Sequence, residues 1–334
     1  MERPPAIRFS MFEDFAIRTE RKENPRTMPY VLCSVSAFSG QRERISRMLK
    51  DDMERLFRES STQKEVVTVE PAREFLQTVW QRDSYLYFNG VYFPWRWIDT
   101  KGQNRPEREA YVLKMMGMKD SVSLEKVLPR ILTDRDEGMF AMGEGGLYFP
   151  DHDNNTLFIS RGIVAEEGTL SEEELTKRLT DMHKHIFGDD IDVTVLPQPD
   201  TTPHLDTHFS VIPRTKIALF ENGYYGKAEG AGAMETLDQL GYESVQTPPS
   251  VLSRPLNIFY MENDAGTVCA YVYPSINESV RDLLHQNNVE TYDMSPALGN
   301  ILDAQEGGPR CITNEVHTKD PAFIRNLGFK APSL

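Results

Sequence analysis

The sequence predicts an α/β fold, and three of its features carry that prediction. Strand, helix and strand patterns follow one another near the N-terminus. Short hairpins then alternate with single helices along most of the chain. Finally, the glycine-rich first turn of a doubly wound dinucleotide-binding sheet is missing.

Taken in order, YVLCSVSAFS (30–39) is an apolar, β-branched run that suits a buried strand. From Glu43 to Arg58 the spacing puts Ile45, Met48, Leu49, Met53, Leu56 and Phe57 on one helical face. EVVTVEP is the second strand. SYLYFNGVYFP (84–94) predicts a hairpin that turns at Asn89-Gly90, the pair favoured in two-residue turns. A helix is predicted from Arg108, and a second hairpin over 147–160 turns through an Asp/Asn cluster. Ser171 and Glu174 form a capping box that opens the next helix. DVTVLP, HFSVIP, KIALFENGYYG, LNIFYMEN, TVCAYVYP and VETYDMS supply further strands, with a helix over 277–286. No long Gly/Ser/Pro linker divides the chain. It reads as an irregular extension over 1–28 followed by a single domain over 29–334.

Composition narrows the function classes. The 334 residues are 39% hydrophobic and carry a formal net charge of −14, with no dense Lys/Arg run, which argues against a nucleic-acid partner. No apolar stretch is long enough to span a membrane, and the charged first residues do not form a secretory signal, so a cytoplasmic location is expected. Three cysteines without paired spacing, Cys33, Cys269 and Cys311, point to neither a disulfide framework nor a zinc site; no cofactor is expected. Whether the chain is a monomer or a homo-oligomer is not written in these features.

Cys33 and Cys269 lie inside apolar strand patterns, where cysteine serves as a small hydrophobe. Cys311 differs: it follows Gly307-Gly308-Pro309, and glycines let backbone approach a ligand closely. In TTPHLDTHFSVIP, His204, Asp206 and His208 would share one face of a strand. That is either an acid/base and cation-binding pair or a solvent-facing edge strand. His-x-Asp-x-His alone is a weak metal signal. His183 and His185 are expected at the surface of their helix, and His152 in a turn. Arg82-Asp83 and Glu144-Gly145-Gly146 precede the two hairpins, each an ordinary place for charge.

The set becomes informative in sequence order: Trp80-x-Arg82-Asp83, Glu144-Gly145-Gly146, His204-x-Asp206, then Gly-Gly-x-x-Cys311. It resembles the guanidine-modifying, or pentein, superfamily of arginine and agmatine deiminases, dimethylarginine hydrolases and amidinotransferases, over about residues 30–320. The resemblance implies a five-bladed α/β propeller of ββαβ units around a central active site. It also implies a small cationic guanidino substrate. Asp83 and Asp206 would grip the guanidinium nitrogens, Cys311 would attack the central carbon, and His204 would protonate the departing amine while Glu144 holds its imidazole. No metal or cofactor enters this chemistry.

Departures from the family pattern leave the substrate open. Leu147 follows the glycine pair, and Gln305-Glu306 stand where arginine deiminases often carry an arginine. A substrate carboxylate would then fall to Arg161, Arg254 or Arg310; otherwise the substrate lacks one, as agmatine does. The leading expectation is a hydrolase acting on arginine or a close relative. An amidinotransferase on the same scaffold, or a non-catalytic pentein that binds a guanidinium or a protein, are the alternatives.

Overall fold

In the computed structural model, the turn predicted at Asn89-Gly90 has positive φ at both residues, 49° and 79°, as a two-residue hairpin requires. The structure describes residues 16–20, 22–34, 41–70, 82, 85–94, 145–161, 172–197, 204–221, 228–250, 252, 254–304, 307–327 and 329. In chain order they form β1 (Ile17–Arg18), β2 (Tyr30–Ser34), α1 (Gln41–Glu59) and β3 (Glu65–Val69). Then come β4 (Tyr85–Phe88), β5 (Val91–Pro94), β6 (Tyr148–Asp151), β7 (Thr156–Ser160), α2 (Glu172–Phe187) and β8 (Asp192–Leu196). β9 (Phe209–Val211), β10 (Ile217–Glu221), α3 (Ala228–Gln239) and β11 (Glu243–Thr247) follow. The last third holds β12 (Phe259–Glu262), β13 (Val268–Val272), α4 (Glu278–Gln286), β14 (Val289–Asp293), α5 (Pro296–Ala304), β15 (Thr313–Val316) and α6 (Pro321–Asn326).

These strands make five three-stranded sheets among the described residues. Three are uninterrupted ββαβ units: β6-β7-α2-β8, β9-β10-α3-β11 and β12-β13-α4-β14. In each, an antiparallel hairpin is followed by a helix that returns the chain for a parallel third strand. The fourth has the same order but is closed by the other end of the chain. C-terminal β15 pairs antiparallel with β2, which α1 connects to parallel β3. In the fifth, hairpin β4-β5 has β1 in the third seat, and β1 runs antiparallel to β5. Part of the N-terminal segment expected to be irregular therefore completes a sheet.

Among the described residues, four apolar clusters join the sheets in succession. Phe158, Phe209 and Tyr242 link the second and third hairpin sheets, with ring centroids 5.0 and 5.4 Å from Phe158. Leu219, Tyr260 and Ala270 continue to the β12-β13-β14 sheet. Tyr271, Val31 and Leu298 pass to the sheet closed by β15, with Leu49, Met53 and Leu56 of α1 packed in as the helical face predicts. Leu32, Tyr85 and Tyr92 join that sheet to β4-β5. Phe187 at the end of α2 touches Phe88 and Phe93, so the succession returns to its start. Full burial of one such aromatic side chain contributes on the order of 2–3 kcal/mol. A small cavity, partly open to solvent, is lined from all five sheets, by Tyr87, Phe149, Val211, Phe259 and Glu315 among others.

Several expectations need correction or fall outside the described residues. His183 is fully buried rather than at the surface: its Nδ1 lies 2.7 Å from the Leu179 carbonyl oxygen, and its Nε2 3.3 Å from the Tyr148 hydroxyl. Burial pushes its pKa down to about 4. His185 is half-buried, and His152 does sit in a turn. The helix expected from Arg108 and the capping serine Ser171 lie outside the described residues, although α2 starts where that cap predicts. α3, β11, α5 and α6 were not expected from the sequence pattern.

Candidate active site

The first strand of each hairpin unit, β4, β6, β9, β12 and β15, lies at one edge of its three-stranded sheet. Just ahead of these five strands sit Arg82, Gly145-Gly146, His204 with Asp206, Asn257, and Cys311. Five segments distant in sequence thus arrive at corresponding ends of five equivalent strands, and contacts tie them together.

Cys311 occupies a turn two residues before β15. Asn257, two residues before β12, holds it twice: its Nδ2 donates to Cys311 Sγ at 3.0 Å, and its Oδ1 accepts from the Cys311 amide at 3.0 Å. The same Nδ2 also lies 3.2 Å from the Asp206 carbonyl oxygen, so one amide joins the cysteine turn to the histidine-aspartate turn. Gly308 makes this approach feasible, since a Cβ there would stand 2.6 Å from Asn257 Oδ1. The Tyr273 hydroxyl donates to the Gly307 carbonyl, and burial, reinforced by nearby Cys311, raises its pKa. None of the three cysteines is in a disulfide; burial pushes the Cys33 and Cys269 thiols up to about 12, leaving them unreactive.

The strand expected to carry His204, Asp206 and His208 on one face is instead a single 3-10 turn, Leu205–Thr207, with β9 starting only at Phe209. His204 is the extended residue ahead of this turn, and the Thr207 hydroxyl donates to its carbonyl at 2.7 Å. The turn still brings His204 and Asp206 together. A Cβ on Gly146 would lie 2.5 Å from His204 Nδ1 and 3.0 Å from Asp206 Oδ1, so both side chains face the glycine that precedes β6. His208 is turned elsewhere. It is buried, with Nδ1 3.2 Å from Glu221 Oε2, and burial lowers its pKa to about 4 despite that carboxylate. The solvent-facing alternative for this segment does not hold, because residues 205–212 are buried.

Asp206 is completely buried. Its Oδ2 pairs with Arg310 Nη1, while its Oδ1 has no hydrogen-bond partner among the described residues. Arg310 also donates from Nη2 to the Tyr148 carbonyl at 3.3 Å and lies over the Phe149 ring, 5.1 Å from its centroid. Its expected availability for a substrate carboxylate is therefore overturned: Asp206 occupies it. Beneath this layer Arg82 makes a buried pair with Glu315, at 2.8 and 3.3 Å, and donates to Asn314 Oδ1 at 2.9 Å. Its backbone amide donates to the Cys311 carbonyl at 3.0 Å. Arg82 is thus a structural tie rather than the solvated charge that sequence alone suggests.

Of the other candidates, Asp83 and Glu144 lie outside the described residues, directly beside Arg82 and Gly145. Arg254 is buried close to Asn257, whereas Arg161 is exposed past the end of β7. No metal-competent group of His, Cys, Asp and Glu is found among the described residues, and none of their helices is long and apolar enough to cross a membrane.

No family model and no curated protein sequence matches this chain. Solved structures do. The agmatine deiminase of C. jejuni superposes with a TM-score of 0.54 at 13% identity, covering 88% of this chain and 94% of that one. The N-terminal domain of ArgZ covalently bound to a reaction intermediate gives 0.52 at 14% identity, covering 86% and 97%. The product-bound form of that domain, from an arginine dihydrolase of Cyanobacteria, gives 0.51 at 14% identity with the same coverage. The chain shares the fold of these agmatine deiminase and arginine dihydrolase structures, proteins of the kind its motif order resembles.

Proposed function

We infer that this chain is a hydrolase that cleaves the guanidino C–N bond of arginine or a close relative through a covalent intermediate on Cys311. The five sheets, in this reading, are the blades of a propeller, and the site lies at one end of its axis. The observation that carries it is the convergence of Cys311, His204 and Asp206: Asn257 joins Cys311 to Asp206, and the side chains of His204 and Asp206 both face Gly146. That the fold is shared with an agmatine deiminase and an arginine dihydrolase domain supports it.

A guanidinium carbon is a weak electrophile because resonance spreads its charge, so the site must hold the cation in attack geometry. Asp206 Oδ1 is a buried acceptor with a lone pair to offer, and Asp83 would take the opposite nitrogens. The Cys311 thiolate forms a C–S bond to the central carbon, giving a tetrahedral adduct. His204, held by Glu144, delivers a proton to one nitrogen as its C–N bond breaks, and ammonia leaves. The amidino-thioether that remains is attacked by water, from which His204 takes a proton. The C–S bond then breaks to release the ureido product and restore the thiolate. A substrate carboxylate would fall to Arg254, which is buried and adjoins Asn257, with Arg161 the more remote candidate.

The test uses purified protein with arginine and, separately, agmatine, assayed for ureido product and ammonia. Wild type turns over one of them, and Cys311→Ser lowers kcat by on the order of 10⁴-fold. Turnover only when an amine such as glycine is added would replace hydrolysis with amidino transfer. Equal rates in wild type and Cys311→Ser would remove the cysteine mechanism.

A further inference from the structure

Asp206 is unusual for a cation-binding carboxylate, because half of it is already in use by a guanidinium of the same chain. Arg310, the residue immediately before the nucleophile, places Nη1 on Asp206 Oδ2. Its guanidinium is buried between the Asp206 carboxylate, the Tyr148 carbonyl and the face of Phe149. This is how a protein holds a planar cation: charge on one edge, a carbonyl on another, an aromatic ring beneath. The other carboxylate oxygen, Oδ1, is buried, has no hydrogen-bond partner among the described residues, and faces the Gly146 position that His204 also faces.

We propose that Arg310 is a positioning and specificity-determining residue, an internal guanidinium that fixes Asp206 so that an incoming substrate meets Oδ1 alone. This rests on the reading of Cys311 as a nucleophile toward guanidinium carbon. Two consequences follow from the geometry. With Oδ2 held by Arg310, the Asp206 carboxylate is pinned in rotation and offers Oδ1 as its open acceptor, which disfavours a two-oxygen fork with the substrate and favours one orientation. And because Arg310 balances the Asp206 charge, the site gives up affinity for the ground-state cation in exchange for a defined approach to Cys311. Arg310 is itself fixed to the nucleophile: its carbonyl accepts from Arg82 Nε at 3.3 Å, and Arg82 holds the Cys311 carbonyl.

The signs of the expected effects separate this role from a structural one. In Arg310→Gln, Asp206 regains both oxygens and its full charge. There kcat per site falls about 100-fold through misalignment, while KM falls about tenfold because a carboxylate with both oxygens available forks a guanidinium. Active sites are counted by alkylation of Cys311, so loss of folded protein does not mimic a loss of kcat. Guanidinium chloride, titrated calorimetrically into the wild type and the variant, binds the variant about tenfold tighter by the same reasoning. Arg310→Lys, which keeps the charge without the planar fork, retains the wild-type KM with a smaller loss of kcat.

A raised or unchanged KM in Arg310→Gln, or unchanged guanidinium affinity, overturns the proposal, as does Arg310→Lys behaving like Arg310→Gln. Failure of the underlying reading is distinguishable, because it removes turnover from the wild type. The guanidinium titration needs no turnover, so it still tests Arg310 in that case.

Discussion

At the scale of single residues, the proposed nucleophile was legible and the residue that holds it was not. Cys311 stands out because glycines precede it, and a cysteine in that setting has no strand to fill. Asn257 sits between a proline-containing turn and an apolar strand, where asparagine is an ordinary boundary residue. Only the fold shows that its amide contacts Cys311 twice and the Asp206 carbonyl once. Arg310 gave a partial signal as a candidate for a substrate carboxylate, but a charge read in sequence cannot reveal that Asp206, 104 residues away, has taken it. Asn257 also yields a prediction. Asn257→Ala removes both restraints on Cys311 and lowers kcat on the order of 100-fold, since small misplacements of a reacting atom are costly. KM stays near the wild-type value, because Asn257 holds the nucleophile rather than the cation. Steady-state kinetics on both forms checks this, and a variant with unchanged kcat would deny Asn257 a positioning role.

At the scale of elements, periodicity served well wherever a strand or helix buries one face. The two hairpins were readable from their turn residues, and Asn155 and Asn89 do adopt positive φ. α1 was readable from its apolar stripe, and α4 matches the helix expected over 277–286, where the structure adds that the Asn277 side chain accepts from the Ser279 amide as an N-cap. α3 has no legible stripe, because AEGAGAMETLDQ contains two glycines and few large apolar residues; its place comes from packing Ala233 and Leu237 against β10 and its neighbours. The segment 204–208 misled in a different way. Alternation of polar and apolar residues is the same in a strand as in a short 3-10 turn followed by a strand. Here the turn prevails, with the His208 amide donating to the Leu205 carbonyl and the His208 ring drawn to Glu221. β1 was hidden by its length, two residues that pair only because β5 leaves an edge for them.

At the scale of the whole molecule, the candidate site depends on a pairing between segments from the two ends of the chain. β15 pairs with β2, so the two ends of the chain share one sheet and Cys311 is carried to Asn257 and Asp206. The interior also sets a pH dependence. His183 and His208 are buried, and burial lowers both pKa values to about 4. Their unfolded values lie near 6.5, so between those limits the unfolded chain binds more protons and stability falls as pH falls. Lowering the pH from about 7 to about 5 should cost roughly 2 kcal/mol per histidine. Urea midpoints measured across that range should decline, and the decline should be shallower in His183→Gln. A midpoint that does not move would contradict the burial of these rings in neutral form.

The covalent step on Cys311 is the claim on which the mechanism stands, and it leaves a mass. Enzyme turning over its substrate is quenched in acid within the first turnovers, digested, and its cysteine peptides weighed. The mechanism requires an amidino adduct on the peptide that contains Cys311 and none on those with Cys33 or Cys269. Product formation without any adduct on Cys311, with the quench shown fast enough to trap one, would contradict it.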